Sequence, residues 1–435
     1  MVFKKFIEIQ QAYLSKRINS QEYIAADSLF NSISFRLPPI LENDKLLFLK
    51  ISKEVLLSFF GKIKIVNCTE NASVAVLDNS FNYIETRLKY IKKLTNQDVK
   101  IVLSKSNLLG FTSIFNSINI LFLVIKLLLK TSFVKQESIS RLNYALIIKQ
   151  LPEIINFLFI IKKNNIKTVF DFANFEVDSN FLYLLLKGNN IVVYKVPSPG
   201  PLFMHNKNLL TDYLVISSGY QEEEVYAFKE TIFYSKLLKF YPETSPLTNL
   251  QKQEVSTENL KVLGFYSHAS WLRAKQNHID NGLNLLEAEE NLLSMINKVF
   301  SGTDYKLLVF LHPKEKQDLN ASKQYYSKFL KDINFEFLPV EKKSTDCFHL
   351  CNIALVTLST ILFERLFEGY KILICKKDIK GFPNEISVLN SINFSNEAEL
   401  TELVSANIGA SDKHFFEKNK LTGYTKEVFI SNEYR

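Results

Sequence analysis

Three polar clusters in the second half of the chain place donor and cationic side chains at the ends of apolar runs. The first is Tyr266-Ser267-His268-Ala269-Ser270-Trp271-Leu272-Arg273. The second is Leu311-His312-Pro313-Lys314. The third is Leu358-Ser359-Thr360, which opens a helical segment carrying Glu364. Imidazole, guanidinium, ammonium and hydroxyl groups all donate hydrogen bonds to phosphate oxygens, and a helix N-terminus adds free N–H groups and partial positive charge. Ser267, Arg273, His312, Pro313, Lys314, Ser359, Thr360 and Glu364 are therefore the candidate binding residues for a nucleotide phosphate. Pro313 restricts the chain so that the imidazole points out of the sheet, and Glu364, one turn into its helix, is within reach of ribose hydroxyls. Each residue also has a plainer reading. Ser359 or Thr360 caps a helix, Glu364 complements the helix dipole, and Trp271 is core. The conjunction at three strand ends carries the functional reading.

The clusters need strands and helices to hold them, and the hydrophobic periodicity supplies both. Strands are expected at Lys261–Ser267, Lys306–Leu311, Phe335–Leu338, Ile353–Thr357 and Lys371–Cys375. Helices are expected at 284–300, 321–330, 344–350 and 360–368. Strand–helix alternation at this spacing is the pattern of a doubly wound α/β domain, whose ligands bind beyond the C-terminal strand ends. The first half repeats the architecture. Thr168–Phe172, a helix from Asn180 to Lys187 and Ile191–Tyr194 form a β-α-β unit, with further strands at Ile63–Val66, Val74–Leu77, Val99–Leu103 and Tyr213–Ile216. The polar, aperiodic stretch 241–259 reads as a linker. The expected organisation is an N-terminal domain over 1–240, with a helical insertion at about 105–164, and a C-terminal domain over 260–435.

Composition narrows the function classes. The chain has 435 residues, 47% of them hydrophobic, enough for two or three folded domains. Its net charge of +8 is spread along the chain without a run of five basic residues. That pattern is a solvated surface or a mild attraction to anions, and it lacks the basic-aromatic pattern of a nucleic-acid module. Four cysteines are too few for a disulfide framework in a chain this long, and free thiols fit a reducing cytoplasm. Cys347 and Cys351, i,i+4 on an expected helix, have no second ligand pair, so no metal site is expected. Only 12 glycines occur, and G-x-G-x-x-G, Walker A and G-x-S-x-G sequences are all absent, which disfavours dehydrogenases, P-loop enzymes and α/β-hydrolases. Met1–Lys5 opens no apolar leader. The apolar stretch around Ile120–Leu129 falls short of the ~20 residues of a spanning helix. It reads as a buried helix, with a lysine-flanked membrane-surface helix, within 114–130, as the alternative.

With these residues in view, the segment 260–380 resembles the donor domain of bacterial GT-B glycosyltransferases. It is most similar to sialyltransferase-like groups that use CMP-activated nonulosonic acids and share a His-Pro and a Ser-Ser/Thr motif, here His312-Pro313 and Ser359-Thr360. Teichoic-acid-type polymerases and Kdo transferases have similar features. The resemblance implies a GT-B fold of two Rossmann-like doubly wound domains facing across a cleft. It implies that His312 contacts the donor phosphate or the cytidine ribose, that Ser359 and Thr360 contact the phosphate, and that no metal cofactor is required, which agrees with the absence of an Asp-x-Asp sequence. It further implies transfer of a sugar, a nonulosonic acid such as sialic acid from CMP, with inversion, to a glycan or lipid-linked glycan of a surface polysaccharide. The setting would be cytoplasmic, with peripheral contact to an anionic membrane face. A CDP-polyol phosphotransferase and a non-catalytic capsule-assembly protein are the alternatives.

These groups place a general base in an acidic motif of the N-terminal domain, and this sequence lacks that motif. The nearest counterpart is Phe170-Asp171-Phe172-Ala173-Asn174-Phe175-Glu176-Val177-Asp178. An inverting transfer needs a carboxylate or His within hydrogen-bond reach of the acceptor hydroxyl. Asp171 is the first catalytic candidate and Glu176 the second. Asp171 as a plain loop-closing side chain stays equally open. Ser198 and His205, in and beyond the Pro197–Pro201 loop, are the acceptor-binding candidates.

Overall fold

Apolar tetrapeptides such as Val74–Leu77, Ile353–Val356 and Ile372–Cys375 are buried at every position. Strands of that kind belong to parallel sheets covered on both faces. The computed structural model describes residues 2–36, 61–78, 84–109, 151–172, 178–197, 208–217, 219–239, 261–275, 284–357, 359–379 and 387–431. The chain divides into two units, the first comprising Met1–Ser198, Leu202–Ser217 and Val225–Pro242, the second comprising Pro199–Pro201, Ser218–Glu224 and Glu243–Arg435. The linker expected at 241–259 lies outside the described residues, as does most of the helical insertion.

In chain order the elements up to residue 239 are α1 (Val2–Leu14), α2 (Gln21–Arg36), β1 (Gly61–Asn67), β2 (Val74–Leu77), α3 (Ile84–Thr95), β3 (Val99–Leu109), α4 (Leu151–Lys163), β4 (Thr168–Asp171), α5 (Asp178–Lys187), β5 (Val192–Lys195), β6 (Leu209–Leu210), β7 (Tyr213–Ile216), α6 (Gly219–Ala227), β8 (Ile232–Phe233) and β9 (Lys236–Lys239). The main sheet of unit 1 runs β1-β3-β2-β4-β5-β7-β9, parallel except for the antiparallel edge strand β1. The chain leaves β2 to one side for β3 and returns to the other for β4. The topological switch point, where open sheets bind ligands, therefore lies between β2 and β4. Asn190, at φ 58°, ends the turn after α5 in the left-handed conformation that asparagine tolerates.

Unit 2 continues with β10 (Lys261–Tyr266), α7 (Ser270–Lys275), α8 (Leu285–Phe300), β11 (Tyr305–Phe310), α9 (Leu319–Phe329), β12 (Phe335–Phe337), β13 (Ile353–Val356), α10 (Thr360–Phe367), β14 (Ile372–Cys375), β15 (Asn393–Phe394), α11 (Glu397–Asn407), α12 (Asp412–Lys418) and α13 (Lys426–Ser431). Its sheet is parallel throughout, in the order β12-β11-β10-β13-β14-β15. That is the dinucleotide-fold order 3-2-1-4-5-6, with the switch point between β10 and β13. Two doubly wound α/β units in one chain are the make-up of the GT-B fold class.

The core of unit 2 follows from a few residues. Helix α8 buries Leu285, Ala288, Leu292, Leu293, Met295, Ile296 and Phe300, an i,i+3/i+4 stripe that must face the sheet. Gly264 in β10 is required by packing, because a Cβ there would lie 2.5 Å from Cys351 Sγ and 3.2 Å from Phe310 Cε2. Arg365 of α10 is fully buried. It donates to Tyr266 Oη (3.0 Å) and to the carbonyls of Phe348 (3.0 Å) and Lys371 (3.1 Å). Its guanidinium also lies 5.2–5.6 Å from the ring centroids of Tyr266, Phe348 and Tyr370. This clamp sets where α10 begins, and so where Ser359 sits.

One expected element differs. Ser344–Leu350 forms a 3₁₀ segment broken at Cys347 (φ −122°, ψ 21°), with Cys351 extended after it. The helical i,i+4 relation expected of Cys347 and Cys351 is not realised, because Cys351 turns its sulfur against Gly264 at the start of β13. Among the described residues no group of three or more His, Cys, Asp or Glu is arranged to hold a metal ion. Among them, too, no helix is long and apolar enough to cross a membrane. The stretch 114–130 lies outside the described residues.

Candidate functional site

Strand β10 ends between β11 and β13, so the segments following these three strands share one edge of the sheet. The first turns back tightly. Ser267 N donates to Phe310 O (3.1 Å), fastening the β10 exit to β11. Ala269 N donates to Ser267 Oγ (2.9 Å). Ala269 itself is buried at φ 56°, a left-handed conformation that costs a Cβ-bearing residue roughly 1–2 kcal/mol. Strain of this kind persists where surrounding structure over-determines it, commonly at binding sites. The turn presents His268 and launches α7, which carries Arg273.

The second segment is His312-Pro313-Lys314, half-buried at the His and Lys and exposed at the Pro. Lys314 N donates to His312 Nδ1 (3.2 Å). A neutral imidazole that accepts at Nδ1 carries its proton on Nε2, so the ring offers one N–H donor. Burial, helped by Arg273 and Lys314, lowers the His312 pKa to about 4. Burial, Arg273 and His312 lower that of His268 to about 4 as well. Both rings are therefore neutral at pH 7, and the positive charge of the cluster resides on Arg273 and Lys314. Arg273 has a buried Nε with no hydrogen-bond partner among the described residues. A buried donor left unpaired is costly, and it marks where an acceptor belongs.

Two buried carboxyl groups stand behind this rim. Glu289 of α8 accepts from His268 N (2.8 Å) and Ser270 Oγ (3.3 Å). Burial, with the nearby charge of Glu315, pushes it up to about 8. Glu315 accepts from Trp271 Nε1 (2.6 Å), His312 N (2.9 Å) and Tyr326 Oη (3.0 Å). Trp271 stacks on Tyr325 at 5.1 Å between ring centroids. It is half-buried and part of the support, outside the buried core in which its plainer reading placed it.

At the third segment Ser359 is the N-cap of α10, extended (φ −149°, ψ 150°), and its hydroxyl makes no capping bond to the helix. Glu364 is half-buried, and desolvation pushes its carboxyl up to about 7. Ser267, Arg273, His312, Pro313 and Lys314 thus follow the adjacent strands β10 and β11. Ser359 and Thr360 follow β13, on the other side of the β10/β13 switch point. His268, Glu289 and Glu315 were not among the binding candidates. His268 was visible in the first cluster, and Glu289, four residues after Leu285 and three before Leu292, shares the apolar stripe of α8, so its spacing marks it as buried although it does not show what it meets there.

In unit 1, Asp171 ends β4 at the switch point, paired in register with Leu77 of β2. It is 5% exposed and bound to Lys195 Nζ at 2.5 Å, and Lys195 is itself buried. Beside it Asp78, which follows β2, is buried and paired with Arg87 at 3.3 Å, and the Arg87 guanidinium lies 4.4 Å from the ring centroid of Phe172. Sequence spacing did not point to Asp78, Arg87 or Lys195. Glu176, Ser198 and His205 lie outside the described residues.

No family model matches this chain, and no curated protein matches it. Solved structures do. A UDP-GlcNAc 2-epimerase from Methanocaldococcus jannaschii in complex with UDP-GlcNAc and UDP is 13% identical, covering 78% of this chain and 93% of that one, with a TM-score of 0.45. The apo form of the lipopolysaccharide outer core galactosyltransferase WaaB is 10% identical, covering 82% and 97%, with a TM-score of 0.44. The wall teichoic acid polymerase TagF is 11% identical, covering 100% and 95%, with a TM-score of 0.39.

Proposed function

We propose that this chain is a glycosyltransferase whose second unit holds the phosphate of a nucleotide-activated sugar, a CMP-linked nonulosonic acid in the finer reading. The observation that carries the proposal is the Arg273–His312–Lys314 group at the C-terminal edge of a 3-2-1-4-5-6 sheet, with the Arg273 Nε buried and unpaired among the described residues. Two cations and a neutral Nε2–H donor suit phosphate oxygens, and Ser359, with its hydroxyl not used in capping, stands at the N-terminus of α10, where the helix dipole favours an anion.

In the proposed reaction an acceptor hydroxyl oxygen forms a bond to the anomeric carbon as the carbon–oxygen bond to phosphate breaks. The electron pair leaves on the nucleotide phosphate, whose added charge Arg273 and Lys314 stabilise. The acceptor proton passes to a carboxylate, with Asp171 the first choice and Glu176 the second. Attack opposite the leaving group inverts the centre, and protein cations carry the charge stabilisation without a metal cofactor. The acceptor is a glycan or lipid-linked glycan, and the setting is the cytoplasmic membrane face.

Donor hydrolysis and transfer assays with His312→Ala test this reading. The expected result is a loss of about 10- to 100-fold in kcat/KM, the cost of one buried hydrogen bond to a charged group. Unchanged turnover with CMP-sugars removes this site from the reaction, and turnover of CDP-glycerol or CDP-ribitol instead would move the reading to polyol-phosphate transfer.

A further inference from the structure

Glu315 is 1% exposed, and among the described residues it forms no ion pair with Lys or Arg. A buried carboxylate without a cation costs several kcal/mol unless donors surround it. Three do, and they come from three elements. Oε2 takes the backbone N–H of His312 after β11. Oε1 takes the indole N–H of Trp271 on α7 and the hydroxyl of Tyr326 on α9. Its own N–H returns to His312 O (2.9 Å), and its carbonyl accepts from Ser322 Oγ (3.0 Å). Trp271 lies two residues before Arg273 on the same short helix. One side chain thus ties the backbone of His312 to the helix that carries Arg273.

We propose that Glu315 is the positioning residue of the phosphate site, fixing the spacing of His312 and Arg273 and, through the His312–Lys314 turn, the tautomer of the imidazole. This rests on the proposed phosphate-binding reading. All three partners are donors, so only an acceptor-only carboxylate satisfies them. A glutamine would turn an NH2 group against one of them. An apolar packing role needs no such arrangement. The three bonds hold the backbone of the His-Pro turn and leave the imidazole Nε2–H unspent.

The test is nitrogen-15 NMR of the full chain and of Glu315→Gln, with titrations of CMP and UDP. His312 is identified among six histidines by the signal lost in His312→Gln, and the chain has one tryptophan, so its indole resonance is unambiguous. The expected result in the wild type is a single Nε2–H tautomer for His312. In Glu315→Gln, a mixture of tautomers and nucleotide affinity lower by about 10-fold are expected, the cost of one buried donor left unpaired. A folded Glu315→Gln protein that keeps the single tautomer overturns the proposal. Where Glu315→Gln does not fold, Trp271→Phe cuts only the link to α7. Loss of nucleotide affinity then supports the proposal, and wild-type affinity overturns it. A wild-type protein that binds neither nucleotide defeats the phosphate reading, while the tautomer comparison still decides the role of Glu315 in positioning His312.

Discussion

The buried titratable groups of unit 2 pull its pH dependence in opposite directions. His268 and His312 sit at about 4 in the folded chain against an ordinary value of 6.5. The unfolded chain therefore binds more protons between those values, and the stability these neutral rings contribute is fully present above 6.5 and lost as pH falls towards 4. Glu289, at about 8, and Glu364, at about 7, act the other way against an ordinary 4.5. Their contribution is full below 4.5 and is lost as pH rises to 7 and 8. The two trends oppose each other below 6.5, and above it only the carboxyl groups remain. The melting temperature is therefore expected to fall between pH 6.5 and 8. Glu289→Gln, which keeps an acceptor for His268 N, is expected to remove most of the fall between pH 7 and 8. A parallel pH profile in the variant would show that Glu289 does not carry this proton. The donors of the site were legible as residue types after strands, whereas the contacts of the acids beneath them were not. The spacing of Glu289, four residues after Leu285 and three before Leu292, puts it on the apolar stripe of α8, but not against the backbone of a strand-end turn, which depends on the fold of another segment.

At the scale of elements, strand and helix positions in unit 2 were readable because the two periodicities are unmixed. β13 and β14 are fully apolar tetrapeptides, and α8 repeats its apolar positions every three to four residues. The Ser344–Leu350 segment misled because its apolar residues fit a helix, while the close approach of Cys351 to Gly264 breaks it. That approach is itself testable. Gly264→Ala puts a methyl group 2.5 Å from Cys351 Sγ, with Cys351 Cβ and Phe310 Cε2 each 3.2 Å away. Overpacking of this kind is expected to cost about 1–3 kcal/mol in denaturant unfolding. An unchanged midpoint would mean that β10 and β13 have slack at this crossing. Strand order, by contrast, could not be read from local pattern. The placement of β10 between β11 and β13 depends on which crossovers bury the most apolar surface, and no short segment encodes that.

The whole chain is two doubly wound units, each with its own buried apolar core. That of unit 2 runs from Tyr220 through β10–β15 to Tyr424, and those of unit 1 are built on β2–β5 and on β7. Calorimetry is expected to resolve more than one unfolding transition, with a bound nucleotide raising the one that belongs to unit 2. Saturation at 100 times Kd adds about 2.7 kcal/mol to the state that binds. A nucleotide that raises only the other transition would place the site in unit 1. The catalytic half of the proposal remains least legible at this scale. Asp171 was found as a strand-end carboxylate, but its burial against Lys195, and the Asp78–Arg87 pair beside it, arise from contacts between strands β2, β4 and β5 and helix α3 that spacing alone does not show.

The most direct measurement is calorimetric titration of CMP, CDP and UDP into the wild type, His312→Ala and Arg273→Ala. The expected result is one-to-one binding of at least one nucleotide to the wild type, weakened about 10- to 100-fold in both variants, as for a lost hydrogen bond to a charged group. No binding to the wild type, or equal affinity in all three proteins, would contradict a phosphate site at the ends of β10 and β11.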